Sequence, residues 1–109
     1  MGDRAQVKIK DTGVFLYTHW NGYRLVDDVK QALAREVRWD DPEYLARIIF
    51  DQMTEGSHGS ETGHGISTSQ HGDVGLVIEL DCKKKIVSIK EDGGLSSSIP
   101  FSAFIYKEG

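Results

Sequence analysis

Hydrophobic and polar residues alternate near both ends of the chain, and between them the spacing becomes helical. Val7, Lys8, Ile9 and Lys10 alternate, Asp11, Thr12 and Gly13 have turn chemistry, and residues 14–19 are a β-type run of Val, Phe, Leu, Tyr, Thr and His. This pattern predicts a β-hairpin with a short loop. In its second strand Val14, Leu16 and Thr18 share one face, and Phe15, Tyr17 and His19 share the other, because side chains alternate across a strand. Asn21-Gly22 breaks the strand. Val26, Val29, Leu33 and Val37 then recur at helical spacing, with Asp27, Lys30, Gln31 and Arg35 off the stripe, and predict a first helix. A second helix is better punctuated. Asp40 and Asp41 offer an N-cap, Pro42 suits the first helical position, and Glu43 suits the positive end of the helix dipole. Leu45, Ile48, Ile49 and Met53 make its expected buried face.

Residues 54–73 break the pattern, with five glycines, three histidines and four serines. Such a stretch carries no helical stripe and is expected to be a long loop, of the kind that is usually functional or mobile. Ile66, its one large apolar residue, is positioned to pin the second half as a short strand. Alternation returns at residues 74–80, with Val74, Leu76, Ile78 and Leu80 opposite Gly75, Val77 and Glu79. Asp81, Cys82, Lys83 and Lys84 turn the chain and residues 85–89 return it as a hairpin. A second turn is expected at residues 91–94 and an irregular stretch at 95–98. Residues 101–106 alternate like a strand, yet Phe101 and Ile105 also sit one helical turn apart. The expected fold is α+β: an antiparallel sheet of about four strands in the order β-β-α-α-β-β, with two helices on one face. An exposed strand edge at residues 7–10, or near residue 109, would allow pairing with a second copy.

At 109 residues the chain is expected to be one domain, residues 1–109. With 39% hydrophobic and 28% charged residues it matches ordinary globular proteins, which excludes a disordered, collagen-like or coiled-coil chain. Thirteen basic against seventeen acidic residues give a net charge of −4, the wrong sign for general nucleic-acid binding. Lys83, Lys84 and Lys85 are the local exception and suit a solvated hairpin tip. The single cysteine, Cys82, excludes an internal disulfide and fits the cytoplasm. No apolar run reaches the roughly 20 residues of a membrane span. The first six residues lack a signal-peptide core, and Gln6 stands where a myristoylation signal needs Ser or Thr. A cytoplasmic protein without a membrane anchor is expected.

Five constellations carry potential chemistry. His19, Trp20, Tyr23 and Arg24 lie where a strand gives way to a helix, the place where backbone N–H groups favour anions. Two rings there offer stacking and a guanidinium offers a partner for phosphate or carboxylate. The competing account is that Trp20 and Tyr23 close the end of the core. The glycine-rich stretch offers Glu61, Thr62, His64 and Ser67, but contains neither a phosphate-loop run nor Gly-x-Gly-x-x-Gly. His58, His64 and His71 are spaced too widely to enforce a metal site. Serines, histidines and carboxylates are present without a nucleophile elbow. No catalytic residue, metal ligand or cofactor is therefore assigned. The last constellation, residues 38–44, is rich in the Arg, Trp and Tyr that dominate interfaces. It has its own structural account, in which Asp41 and Pro42 cap, Trp39 staples and Tyr44 packs.

Three blocks, residues 16–22 (Leu-Tyr-Thr-His-Trp-Asn-Gly), 38–50 (Arg-Trp-Asp-Asp-Pro-Glu-Tyr-Leu-Ala-Arg-Ile-Ile-Phe) and 61–67 (Glu-Thr-Gly-His-Gly-Ile-Ser), resemble a widespread uncharacterised family of small bacterial proteins, often encoded by phages and prophages. The resemblance covers about residues 14–89. It implies a short helical turn beginning near Phe101, and it implies context without a transferable mechanism. The third block often has another aromatic at the position of His64, which speaks against a catalytic or metal-ligand role there. The resulting expectation is a small non-enzymatic binding or regulatory protein that contacts a host protein. Candidate contact residues are His19, Trp20, Tyr23, Arg24, Trp39, Tyr44, Glu61, Thr62, His64 and Ser67. The alternative is a small-molecule or anion binder, or a modest enzyme, with a cleft formed by the strand end at His19 and the glycine-rich loop.

Overall fold

The structure, a computed structural model, describes residues 4–10, 12–18, 24–55, 64–69, 75–91 and 96–106. Within them the elements run β1 (Ala5–Ile9), β2 (Val14–Thr18), α1 (Leu25–Leu33), α2 (Pro42–Met53), β3 (His64–Ser67), β4 (Leu76–Asp81), β5 (Ile86–Glu91), β6 (Ser96–Pro100) and α3 (Phe101–Phe104). The fold is α+β, with one sheet in the order β3-β2-β1-β4-β5-β6. The sheet departs from the expected four antiparallel strands in two ways. It has six strands, because β3 lies inside the stretch expected to be loop and β6 replaces the irregular stretch. It is also mixed: β1 runs parallel to β4, with Ala5 opposite Leu76 and Ile9 opposite Leu80, while the other pairs are antiparallel.

One face of the sheet is apolar and carries the helices. Ala5, Val7 and Ile9 of β1, Leu16 of β2, Ile78 and Leu80 of β4 and Val87 of β5 form one core with Leu25, Val29, Ala32 and Leu33 of α1 and Leu45, Ile49 and Met53 of α2. The expected faces of β2 and β4 are therefore the observed ones. On the opposite face one row of cross-strand neighbours runs Ser67, Phe15, Lys8, Glu79, Ser88 and Ser98. Lys8 pairs with Glu79 at 3.3 Å, and the Ser88 and Ser98 hydroxyls are 3.1 Å apart. Gln6 also lies on this face, yet it is fully buried and donates from Nε2 to the Ser69 carbonyl at 3.2 Å. Ser69, just beyond β3, thus lies against this face beside β1.

Local chemistry sets the element ends. Asp41 caps α2 by accepting from the Tyr44 N–H at 3.3 Å, with Pro42 in the first turn, as the sequence predicts. Asp81 holds the β4–β5 turn by accepting from the Lys83 and Lys84 N–H groups at 3.0 and 3.1 Å. These bonds, the Lys84 one first, hold its carboxyl below the usual carboxylate range. The first helix is shorter than its stripe. It ends at Leu33, and Val37 lies outside it, 48% exposed. Glu36 is left-handed (φ 54°), and its N–H bonds the Leu33 carbonyl at 2.9 Å. The Trp39 indole N–H donates to the same carbonyl at 3.0 Å. A free helix-terminal acceptor is thereby satisfied twice. Ile66 also departs from expectation. It is in a strand but 65% exposed, so the ladder to β2 holds β3 rather than burial of that side chain.

The free edges are β3 and β6, while residues 7–9 of the expected edge are central. In β6 the Phe101 N–H points back to the Lys85 carbonyl at 2.8 Å. Backbone direction alternates along a strand, so the nitrogen of Pro100 faces outward, where a missing N–H removes one pairing site from the edge. The chain then turns into α3, whose Phe101 and Phe104 are fully buried. Trp39 meets Phe101 edge to face at 5.4 Å, so its apolar partner is α3 rather than the first turn of α2. Phe101→Ala is expected to lower unfolding stability by about 3–5 kcal/mol. Urea denaturation checks this, and a loss below about 1 kcal/mol would mean that α3 does not close the core.

Candidate functional site

The described candidate residues fall into separate places. Trp39 and Tyr44 stand at the start of α2, on the β5–β6 side of the molecule, where Trp39 meets Phe101 and its neighbour Asp40 pairs with Lys85. His64 and Ser67 are on β3, the opposite edge of the sheet. Five interstrand steps of roughly 4.8 Å separate β3 from β6, about 24 Å. Trp39 and Tyr44 thus sit toward the other side of the sheet from His64 and Ser67, and the second and third sequence blocks meet instead through Phe50 and His64. Arg24 is the exposed N-cap of α1. His19, Trp20, Tyr23, Glu61 and Thr62 lie outside the described residues.

On β3, His64 meets Phe50 of α2 edge to face at 6.4 Å. Its Nε2 is buried without a hydrogen-bond partner, and burial holds its pKa below the usual imidazole range. The Ser67 hydroxyl donates to the Ser69 carbonyl at 2.9 Å and accepts the Ser69 N–H at 3.1 Å, which commits it to a local turn. No group of three or more His, Cys, Asp or Glu that could hold a metal occurs among the described residues. Cys82 is buried and forms no disulfide.

A shaped surface among the described residues lies at the α1–α2 connection. An open cleft of about 450 Å³ is lined by Glu36, Arg38, Trp39, Asp40, Asp41 and Lys85. Glu36, Arg38 and Lys85 have φ of 54°, 59° and 56°, and they are the non-glycine residues in left-handed conformation among those described. All three therefore line one cleft. The conformation costs an L-residue roughly 1–2 kcal/mol, and such residues concentrate at functional sites. The side chains differ in their commitments. Lys85 pairs with Asp40, Asp41 caps α2, and the Trp39 indole holds the end of α1. Arg38 lies over the Tyr44 ring, 4.8 Å from its centroid. A guanidinium held over a ring keeps N–H groups that can donate to a further partner. Neither Arg38 nor Glu36 forms an ion pair among the described residues. Tyr44 is 53% exposed.

The sequence signalled this place through its Arg, Trp and Tyr, but not through Glu36 or Lys85. Left-handed positions are legible where Gly or Asn stands, and none stands here.

Away from the cleft, α1 and α2 are tied by a polar network. Gln52 accepts from Arg35 at 2.7 Å and donates to Gln31 at 3.1 Å and to Glu55 at 2.8 Å. Asp28 of α1 is 6% exposed. Burial raises its pKa to about 6, Arg24 opposes the shift, and Asp27 and Glu55 add to it.

Comparison with protein-family models, curated proteins and solved structures gives no match. No helix among the described residues is long and apolar enough to cross a membrane.

Two outcomes follow from these geometries. A folded-state pKa of about 6 for Asp28, above its unfolded value, means that the protonated folded form is favoured. The associated stability is fully present below about pH 4 and is lost as pH rises through 6. Asp28→Asn should therefore be more stable than the parent by about 1–3 kcal/mol at pH 7.5 and equal to it near pH 4. Denaturation at both pH values tests this, and a destabilised variant at pH 7.5 would show that the carboxylate is favourably paired. Glu36→Gly should raise stability by about 0.5–1 kcal/mol, the relief of a left-handed side chain less the added chain entropy. A loss of that size would show that the Glu36 side chain supports the fold.

Proposed function

We propose that the protein is a non-enzymatic binding module that contacts another protein through the α1–α2 connection. The observation that carries this reading is the gathering on one cleft of the three left-handed non-glycine residues found among the described residues. A fold that needs only a tight link between two helices gains nothing from Glu, Arg and Lys in that conformation, where glycine is less costly. The side chains suit protein contact. Arg38 is stacked and free to donate, Tyr44 is half-exposed beside it, and Val37 exposes apolar surface next to both. Arg, Tyr and Trp are the residue types that most often dominate binding energy, and Trp39 here anchors the surface to the core from beneath. A small, acidic protein of phage type would use such a surface to engage a host protein in the cytoplasm, where buried Cys82 remains a thiol.

Affinity capture from a bacterial lysate tests the reading when run with the parent protein, Tyr44→Ala and Arg38→Ala. Both substitutions are at exposed positions, so the melting temperature should stay within a few degrees of the parent. The expected result is a protein retained by the parent and weakened about thirtyfold or more by each substitution. Equal capture by all three forms would overturn the assignment of this surface.

A further inference from the structure

Resting on the partner-binding role of this cleft, we infer that its partner presents an extended segment with one acidic and one basic side chain two residues apart. Charge accounting leads there. The cleft is lined by three carboxylates, Glu36, Asp40 and Asp41, and two cations, Arg38 and Lys85. Asp40 and Lys85 neutralise each other, and Asp41 is held by the Tyr44 N–H. The charged side chains of the lining left without an ion pair or hydrogen bond among the described residues are one of each sign, Arg38 and Glu36.

Each has a natural complement. The Arg38 guanidinium, 4.8 Å from the Tyr44 ring centroid, offers a fork of donors to a carboxylate. Glu36 presents a carboxylate to an ammonium or guanidinium group. The excess of carboxylates disfavours a free polyanion such as phosphate, which would meet one unpaired cation, Arg38, beside the unpaired carboxylates of Glu36 and Asp41. It also disfavours a purely acidic or purely basic segment, which would satisfy one charge and oppose the other.

Spacing selects the conformation. Glu36 and Arg38 are two residues apart, so their Cα atoms lie at most about 7 Å apart. Side chains at i and i+2 of an extended peptide share one face and recur at about 6.6–6.8 Å. Neighbours at i and i+1 point to opposite faces of such a peptide. A segment of the form acid-x-base, or its reverse, therefore meets both charges at once.

The probes are terminally blocked pentapeptides: Ala-Lys-Ala-Glu-Ala, Ala-Glu-Ala-Lys-Ala, and the forms with two Lys or two Glu. Inorganic phosphate is titrated alongside. Binding is followed by the amide resonances of residues 36–44 and by the Trp39 indole N–H. The expected result is that a mixed-charge peptide binds at least about fivefold more tightly than either like-charged peptide, the scale of two exposed ion pairs. Glu36→Gln and Arg38→Gln should each reduce it to the like-charged level. The inference is overturned if phosphate or the two-Glu peptide binds as tightly as the mixed peptides, or if no mixed peptide perturbs these resonances at millimolar concentration. Should the peptides fail while capture from lysate still depends on Tyr44, this charge pattern falls and the partner-binding surface stands. Failure of both removes both.

Discussion

The parallel pairing of β1 with β4 is the constraint on which the rest of the sheet depends. Strands β1, β2 and β3 come from the first part of the chain, and β4, β5 and β6 from the last. In the sheet these halves meet only at the β1–β4 ladder. The apolar alternation of β1 (Ala5, Val7, Ile9) and of β4 (Ile78, Leu80) places both strands on the helical face in one register. A slip by one residue would turn either strand's apolar set away from the core. Gln6 shows how deeply β1 is enclosed, since even its polar-face residue is fully buried and bonded to Ser69.

A second seam joins the same halves away from the sheet. Trp39 packs on Phe101, and Asp40 pairs with Lys85. The cleft lies on that seam, with one wall from the α1–α2 connection and the other from the β4–β5 turn. This explains how strained backbone is tolerated there. The indole is held at both its polar and apolar ends, so Arg38 is fixed from the residue that follows it. A contact surface built this way is rigid where it meets the core and free where it meets solvent, which suits binding with little ordering cost.

The elements that were legible in the sequence are those whose determinants are local. The α2 cap needs only Asp41 and Pro42, the β4–β5 turn needs only Asp81 and the amides of Lys83 and Lys84, and the faces of β2 follow from strict alternation. What was not legible depends on distant partners. The stripe to Val37 promised a longer α1, but the carbonyl of Leu33 is claimed by an indole six residues on and the chain turns left-handed at Glu36. Ser96-Ser97-Ser98 has no apolar alternation because β6 is an edge strand with exposed side chains, and its pairing to β5 is the whole reason it is a strand. Parallel pairing leaves no turn signature at all. The candidate site was half legible. Aromatic and Arg residues marked the start of α2, whereas Lys85 joins it only through the tertiary fold.

The parallel ladder also has a kinetic consequence. It brings together groups far apart in the chain: Lys10 meets Asp81 across a separation of 71 residues. Closing a loop of that length costs roughly 4 kcal/mol of chain entropy beyond a constant term, whereas the β1–β2 and β4–β5 hairpins close across short turns. The hairpins are therefore the early structures, and the ladder between them is the late, rate-setting one. While a ribosome is still making the chain, β1 has one edge unpaired until β4 emerges. During that interval the innermost strand of the finished protein is the one most open to pairing with something else.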